Sequence, residues 1–394
     1  MAQAVNDLSR SLVALEQDST LICVIELSAS SWLLAASAAG LGRSALKKLK
    51  ADEYDVLRQL HRWRDECAKA GHAVGRIVVA FESGRDGFWL ARWLMAHGIE
   101  VHVMHAASVT VSREHRRAKT DRLDTQLLMR ALLGWLRGEI GHCRMCAIPT
   151  LAEEDARRPG REREALMADK TRQLNRAKSI LALHGVRSFN PGLIKAPTKL
   201  AALRTPLGEP LPEHAVAELE RLLARLALVR AQLGALEDTR AQRLERSPSA
   251  QARVMIALLS RVFGLGEQTA EMLCVEVFLR PLRDHRAVSR FVGLTGSPDE
   301  SGARRRQKGL SRSGSARARH ALIQMAWRFV RFQSECGLVK WFAQRTAGGS
   351  PKVRKTMIVA LARKLAIALW RMATTGQIPE GLRLHPQPQP QGAA

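Results

Sequence analysis

A chain of 394 residues is long for one domain, and a hydrophobic content of 46% is enough to build more than one core. The formal net charge of +25 points to a polyanionic partner, most simply nucleic acid, with an anionic membrane surface as the competing one. No apolar run reaches the roughly 18 residues that a membrane span needs, and the N-terminus lacks the charged-then-apolar pattern of a secretory signal, so a cytoplasmic, nucleoid-associated protein is expected.

The charge is uneven. Residues 1–158 hold 22 Lys and Arg against 19 Asp and Glu, whereas 251–394 hold 24 against 8. The C-terminal part is therefore the better candidate for phosphate contact. Six scattered cysteines (Cys23, Cys67, Cys143, Cys146, Cys274, Cys336) fit reduced thiols better than a disulfide framework. "HCRMC" holds one CxxC with no second ligand pair at zinc spacing.

In chain order, Leu21 to Ser30 reads as a buried strand, "SWLLAASAAG" as a second ending at a glycine turn, and Arg43 to Leu49 as a third. Asp52 to Ala70 has helical spacing (Val56, Leu57, Leu60, Trp63). Gly75 to Gly84 is a buried strand, Phe88 to His97 a helix, Ile99 to Met104 a strand and Thr120 to Arg137 a helix. The order β-β-β-α-β-α-β-α predicts a mixed α/β sheet with helices on its faces.

Gly160 to His184 is a charged helix. After a loop rich in Pro and Gly comes a long helix from Glu213 to Arg246. Its Leu219, Leu222, Leu226, Val229, Leu233 and Leu236 are spaced 3-4-3-4-3, an a/d seam. Such a seam predicts either an antiparallel pair with the earlier helix or a dimerising arm. From Ala252 the chain is helical again. There, Gly264-Leu-Gly266 is either a phosphate-facing turn or an ordinary turn between helices. An apolar helix over Ala360 to Met372 completes that core, and the Pro/Gln-rich end reads as a disordered tail. The expected domains are 1–158 (mixed sheet), 159–250 (helical coiled-coil and oligomerisation segment), 251–376 (mainly α) and 377–394 (tail).

Candidate chemistry lies in two places. "RRAKTDRLDTQLLMRALL" opens a helix with Asp121 and Asp124 on one face, behind Arg116, Arg117 and Lys119. Thr120 is a good N-cap, so acids suited to a first turn are the plain explanation. Glu26 and Glu82, however, sit in otherwise apolar strands, where an acid is costly unless paired or metal-bound. The mixed sheet resembles the ribonuclease-H fold, whose acids on the first strand, the fourth strand and the last helix hold Mg²⁺ for two-metal chemistry. The second place is "ESGARRRQKGLSRSGSARARHAL". Arg304, Arg305, Arg306, Lys308, Arg312, Arg317 and Arg319 follow Ser301, and guanidinium forks suit phosphate geometry. A serine is a poor nucleophile until activated, so a phosphate-contact loop with an incidental serine competes with a nucleophilic one. The single tyrosine, Tyr54, lies far from this stretch.

"VVAFESGRDGFWLARWLMAHGIEVHVM", "KTDRLDTQLL", "VFGLGEQTA" and "FVGLTGSPDESGARRRQKGLSRSGSARARHAL", in that order, resemble insertion-sequence transposases. In that family an N-terminal DEDD (RuvC-like) domain joins a C-terminal serine domain; these are the bridge-RNA-guided recombinases. The resemblance runs from about Leu21 to Gly376. It implies a DNA recombinase in which Glu82, Asp121 and Asp124 are three of four metal-binding acids and Ser301 is the nucleophile. Gly309, Ser311, Arg312, Gly314 and Arg319 match the pattern after the serine. It also implies Mg²⁺, dimers that assemble into tetramers on DNA, a site shared between subunits, and a structured guide RNA. Two positions depart from the pattern: Glu26 stands where the family has Asp, and Ser315 where it usually has Asn. The competing readings are a metal nuclease that activates water and a degenerate transposase that only binds nucleic acid.

Overall fold

The computed structural model describes residues 8–42, 45–84, 87–109, 120–240, 242, 250–301, 304–311 and 313–386; for 107, 298–301 and 304–308 it describes the backbone alone. The chain divides into two compact units, Met1–Ala152 and Glu153–Ala394.

The first unit is built on a six-stranded sheet in the order β3-β2-β1-β4-β5-β6. Its strands are β1 (Thr20–Leu27), β2 (Ser31–Ser37), β3 (Ala45–Lys50), β4 (Arg76–Glu82), β5 (Glu100–Met104) and β6 (Met145–Cys146). The first three form antiparallel hairpins; β1, β4 and β5 run parallel; β6 returns antiparallel to β5. This is the mixed sheet expected of a ribonuclease-H-like domain, with β6 added. At two residues, β6 is too short to leave a periodic signal.

Alternation along β1 and β4 divides the apolar residues between two cores. Leu21, Cys23, Ile25, Val79 and Phe81 face helices α1 (Glu53–Lys69) and α2 (Trp89–Ala96). Ile22, Val24, Val78 and Ala80 face α3 (Asp121–Leu136), meeting its Leu128, Ala131, Leu132 and Trp135. Asp52 caps α1, accepting from the Asp55 amide at 2.9 Å. The helix then buries Val56, Leu60, Trp63 and Cys67 at helical spacing.

The second unit is helical apart from one hairpin. After the short α4 (Leu151–Asp155) come α5 (Arg158–Leu183), α6 (Ala196–Leu200) and α7 (Glu213–Asp238). Arg163 Nη2 meets Glu237 at 3.1 Å and Arg176 Nε meets Glu218 at 2.8 Å, so α5 and α7 run antiparallel. The first half of the leucine seam packs within the chain. Leu219, Leu222 and Leu226 pack on Ala177 and Leu181 of α5, on Ala196 and Leu200 of α6, and on Val186 and Leu211 of the connection. The antiparallel pair, one of the two outcomes the seam allowed, accounts for its residues from Leu219 to Leu226.

The remaining helices are α8 (Ala250–Ser260), α9 (Glu267–Leu273) with a π-helical turn over Cys274–Phe278, α10 (His285–Phe291), α11 (Ala316–Phe332), α12 (Gly337–Thr346) and α13 (Pro351–Thr375). They enclose one core around Leu322, Met325, Phe329, Leu361 and Leu365. The ordered chain continues past Gly376, whose left-handed φ of 75° ends α13. Leu384 bridges to Val262. The buried Gln333 amide donates to Phe263 and Arg383 carbonyls at 2.7 and 3.0 Å and accepts from the Arg383 amide at 2.9 Å. The end of the Pro/Gln-rich tail, 387–394, lies outside the described residues.

Because Leu226 is 1% exposed in an intrachain seam, Leu226→Ala is expected to lower stability by about 2–5 kcal/mol. Urea denaturation at several protein concentrations measures it. A loss that vanishes on dilution to monomer would instead make the seam a contact between subunits.

Candidate active site

The parallel register of β1 and β4 ends at Ile25 beside Phe81. One residue further, Glu26 and Glu82 come side by side at the C-terminal ends of their strands, where adjacent strands are about 4.8 Å apart. By alternation both belong with Val24 and Ala80, on the face that α3 covers. Glu26 is half-buried and Glu82 exposed.

Asp121 and Asp124 open α3. The cap is made by Thr120, whose Oγ1 accepts from the Leu123 amide at 3.3 Å. Neither aspartate is therefore consumed in capping, and both project from the first turn of the helix that packs over the acid-bearing face. Arg116, Arg117 and Lys119 lie outside the described residues. Among the described residues, no three His, Cys, Asp or Glu side chains close into a metal site. The donor set is nonetheless right for a hard divalent cation, since all four groups are carboxylates. The CxxC is not such a site. Cys143 packs in the α3-side core and Cys146 in the opposite one, and burial pushes the Cys143 thiol up to about 11.

In the second unit the serine stretch forms an antiparallel hairpin, β7 (Gly296–Ser301) and β8 (Arg304–Leu310). The sequence reading has a loop here, because the stretch lacks alternating apolar residues. Ser301 is the last residue of β7, paired with Arg304 across the hairpin end. Glu300 faces Arg305 and Asp299 faces Arg306, so the register sets acids opposite cations. Lys308 is also on β8. At the hairpin base, hydroxyls link Thr295 to Ser311 at 3.2 Å and Ser311 to Ser313 at 3.1 Å. Arg312 lies outside the described residues. Gly314 follows at φ +85°, where a Cβ would collide with the Phe291 carbonyl.

Residues 256–340, which contain this hairpin, match the family described as "Transposase IS116/IS110/IS902 family". Over 367 residues the chain is 38% identical to "Putative transposase y4rJ" of Sinorhizobium fredii (strain NBRC 101917 / NGR234), an alignment covering 91% of this chain and 92% of that relative. The chain belongs to the IS116/IS110/IS902 transposase family.

In this transposase, the helix that follows the hairpin is anchored by a residue that sequence reasoning did not single out. Glu276, in the π-helical turn, is buried. Its carboxylate accepts from Arg161 Nε at 3.1 Å and from Arg317 Nη1 at 3.0 Å. Arg317 Nε also meets Glu164 at 2.6 Å. Gly160 leaves room for this, because a Cβ there would stand 2.8 Å from Arg317 Nη2. Burial pushes the Glu276 carboxyl up. The Arg161 hydrogen bond and the charges of Arg161, Arg317 and Arg157 outweigh it and hold the group below the usual carboxylate range. Arg317, expected to contact nucleic acid, is thus engaged inside the unit. Arg319 is half-buried, and its Nη1 donates to the Ser313 carbonyl at 3.5 Å.

The remaining candidates have structural places. Gly264 and Gly266 form a turn between helices, with Gly266 the N-cap of α9. Tyr54 is exposed on α1, edge-on to Trp93 at 5.1 Å. Ser315 caps α11, its Oγ accepting from the Ala318 amide at 3.2 Å.

Glu276→Gln is expected to cost on the order of 3 kcal/mol near neutral pH, since it strips the charge from a buried carboxylate that pairs with two arginines. A carboxylate with a depressed pKa contributes stability above its unfolded value and loses it as pH falls through the folded value. The gap between wild type and variant should therefore hold above roughly pH 5 and close at lower pH. Urea titrations across that range check it; a gap independent of pH would remove the charge from the explanation. Ser315→Ala should cost about 1 kcal/mol and Ser315→Asn close to nothing, because asparagine caps as well as serine. Thermal melts of the two variants separate them.

Proposed function

We propose that this transposase cuts and rejoins DNA by transesterification with Ser301 as the nucleophile. The observation that carries the reading is its membership of the transposase family, the match over 256–340 including a serine that ends a hairpin strand among cations. In the reaction the Ser301 hydroxyl gives up its proton and its oxygen bonds to a backbone phosphorus. The bond from that phosphorus to the departing deoxyribose oxygen breaks, and that oxygen takes a proton. A second DNA hydroxyl then displaces the serine, so the number of phosphodiester bonds is unchanged. Arginines near the attacked phosphate offset the charge that builds on its oxygens.

Glu26, Glu82, Asp121 and Asp124 would hold Mg²⁺, whose chemistry at a phosphate is charge compensation and polarisation. The side-by-side strand ends of Glu26 and Glu82, and the two acids left uncapped on α3, support that donor set. The resemblance extends the proposal to a guide RNA that pairs with donor and target DNA, and to dimers that assemble into tetramers in which one subunit's acids meet another's serine.

The test is a denaturing gel of protein, Mg²⁺ and cognate element DNA. Wild type should form a covalent protein–DNA adduct. Ser301→Ala and Asp121→Ala should each abolish it, and the double variant should be no worse than either single one, as for groups that work as a unit. Glu26→Asp should be at least as active as wild type. Cleavage that survives Ser301→Ala but not Asp121→Ala would make this a metal nuclease acting through water. No cleavage by wild type would leave a nucleic-acid-binding protein.

A further inference from the structure

Away from the acids and the serine, the helical pair carries a concentration of positive charge of its own. One flank of the seam opens as a groove of about 610 Å³ between α5 and α7, lined in part by the buried Leu222. Four exposed arginines line it, Arg172 and Arg176 from α5 and Arg221 and Arg225 from α7, with Glu218 the one acid.

The arrangement works against helix stability. Side chains at i and i+4 are neighbours on a helix, and like charges there are destabilising. Each helix has such a pair, Arg172 with Arg176 and Arg221 with Arg225. Compensation is incomplete. Arg176 Nε donates to Glu218 at 2.8 Å, and Arg172 Nη1 donates to Asp169 at 2.7 Å. Arg221 and Arg225 have no acidic partner among the described residues, although both line the same groove. A solvated surface has no need of four guanidiniums converging on one depression.

We propose that this groove binds the phosphodiester backbone of nucleic acid, as a contact separate from the serine hairpin. Guanidinium forks match phosphate oxygens in pairs and are more weakly hydrated than lysine ammonium groups. Arginines four apart on a helix rise about 6 Å. One strand of a duplex advances about 3.4 Å per phosphate, so each arginine pair spans about two phosphates. Arginine dominates the lining, with Gln173 and Glu218 its other polar groups, and as a backbone contact the groove positions the nucleic acid and adds affinity without sequence preference. Duplex DNA and folded RNA share this chemistry. The inference rests on the nucleic-acid-acting reading above.

The test is the dependence of log K on log salt for the full-length protein, on two unrelated DNA duplexes and on a folded RNA of equal length. The variant changes Arg172, Arg176, Arg221 and Arg225 together to Gln, a good helix former. Its melting temperature should equal or exceed that of wild type, because like-charge pairs have been removed. Its slope on duplex DNA should fall by up to about 3.6, equally for both sequences, at about 0.9 per lost contact. Arg221→Gln with Arg225→Gln alone should remove up to about 1.8. A fall confined to RNA, or to DNA, supports the groove and names its occupant. Unchanged slopes on both, with Arg304→Ala/Arg305→Ala/Arg306→Ala still lowering them, would overturn the groove and leave the proposed function standing. Wild type without salt-dependent binding to either would overturn both.

Discussion

The first unit depends on the parallel pairing of β1 with β4. Two strands that run the same way end at the same edge, so whatever follows their last apolar pair is brought together there. Ile25 beside Phe81 is that pair, and a glutamate follows each. The register is not free to drift. A slip of one residue in β1 would turn Ile22 and Val24 out of the α3-side core and send Glu26 into the packed layer against α1 and α2. The apolar pattern that stabilises the sheet therefore also aims the acids. Placing them at the strand ends avoids the desolvation that a carboxylate in mid-sheet would suffer.

The second unit has a corresponding constraint in Glu276. It gathers Arg161 from α5 and Arg317 from α11 onto the π-helical turn after α9, joining three segments far apart in sequence. Removing one arginine leaves the buried carboxylate paired with the other, whereas removing Glu276 takes the shared acceptor from both. The consequence for the serine is geometric. Arg317 is in the first turn of α11, and the hairpin immediately precedes that helix. Anchoring the start of α11 fixes the hairpin's base and leaves Ser301 at its opposite end.

What the sequence discloses follows the strength of its periodicity. β1, β4 and β5 are apolar runs bounded by turn residues, and α1, α3 and α7 repeat at helical spacing; all were legible. β6 was not, because two residues have no period. The β7–β8 hairpin was hidden because its sequence has no alternation of apolar residues. The leucine seam showed that α7 is covered but not by what, since a heptad reads the same against a neighbouring helix or a second copy. Glu26 and Glu82 stood out as acids in apolar runs. Glu276, in "EMLCVEVF", carries the same signal and has a different explanation: its partners are arginines 115 and 41 residues away. An acid in an apolar run announces that it is paired, and tertiary structure alone says with what.

The two departures from the family pattern then carry unequal weight. Ser315 stands where asparagine is usual, yet both side chains offer an oxygen to the free amides of a helix start, and Ser315 makes that bond to Ala318. The physical role survives the exchange. Glu26 stands where aspartate is usual, and in the proposed metal site its role would be one of reach. Glutamate keeps the charge but carries it about one ångström further from a backbone whose position the β1–β4 register fixes. Chemistry that depends on placement loses about a hundredfold for an error of that size. A helix cap tolerates such a shift because the chain at a helix end can adjust. A carboxylate at the end of a central strand has a rigid sheet behind it, so the longer side chain must fold back or the partner must move. Under the proposed mechanism, Glu26 is therefore the departure that bears on rate, and Ser315 is the one that does not.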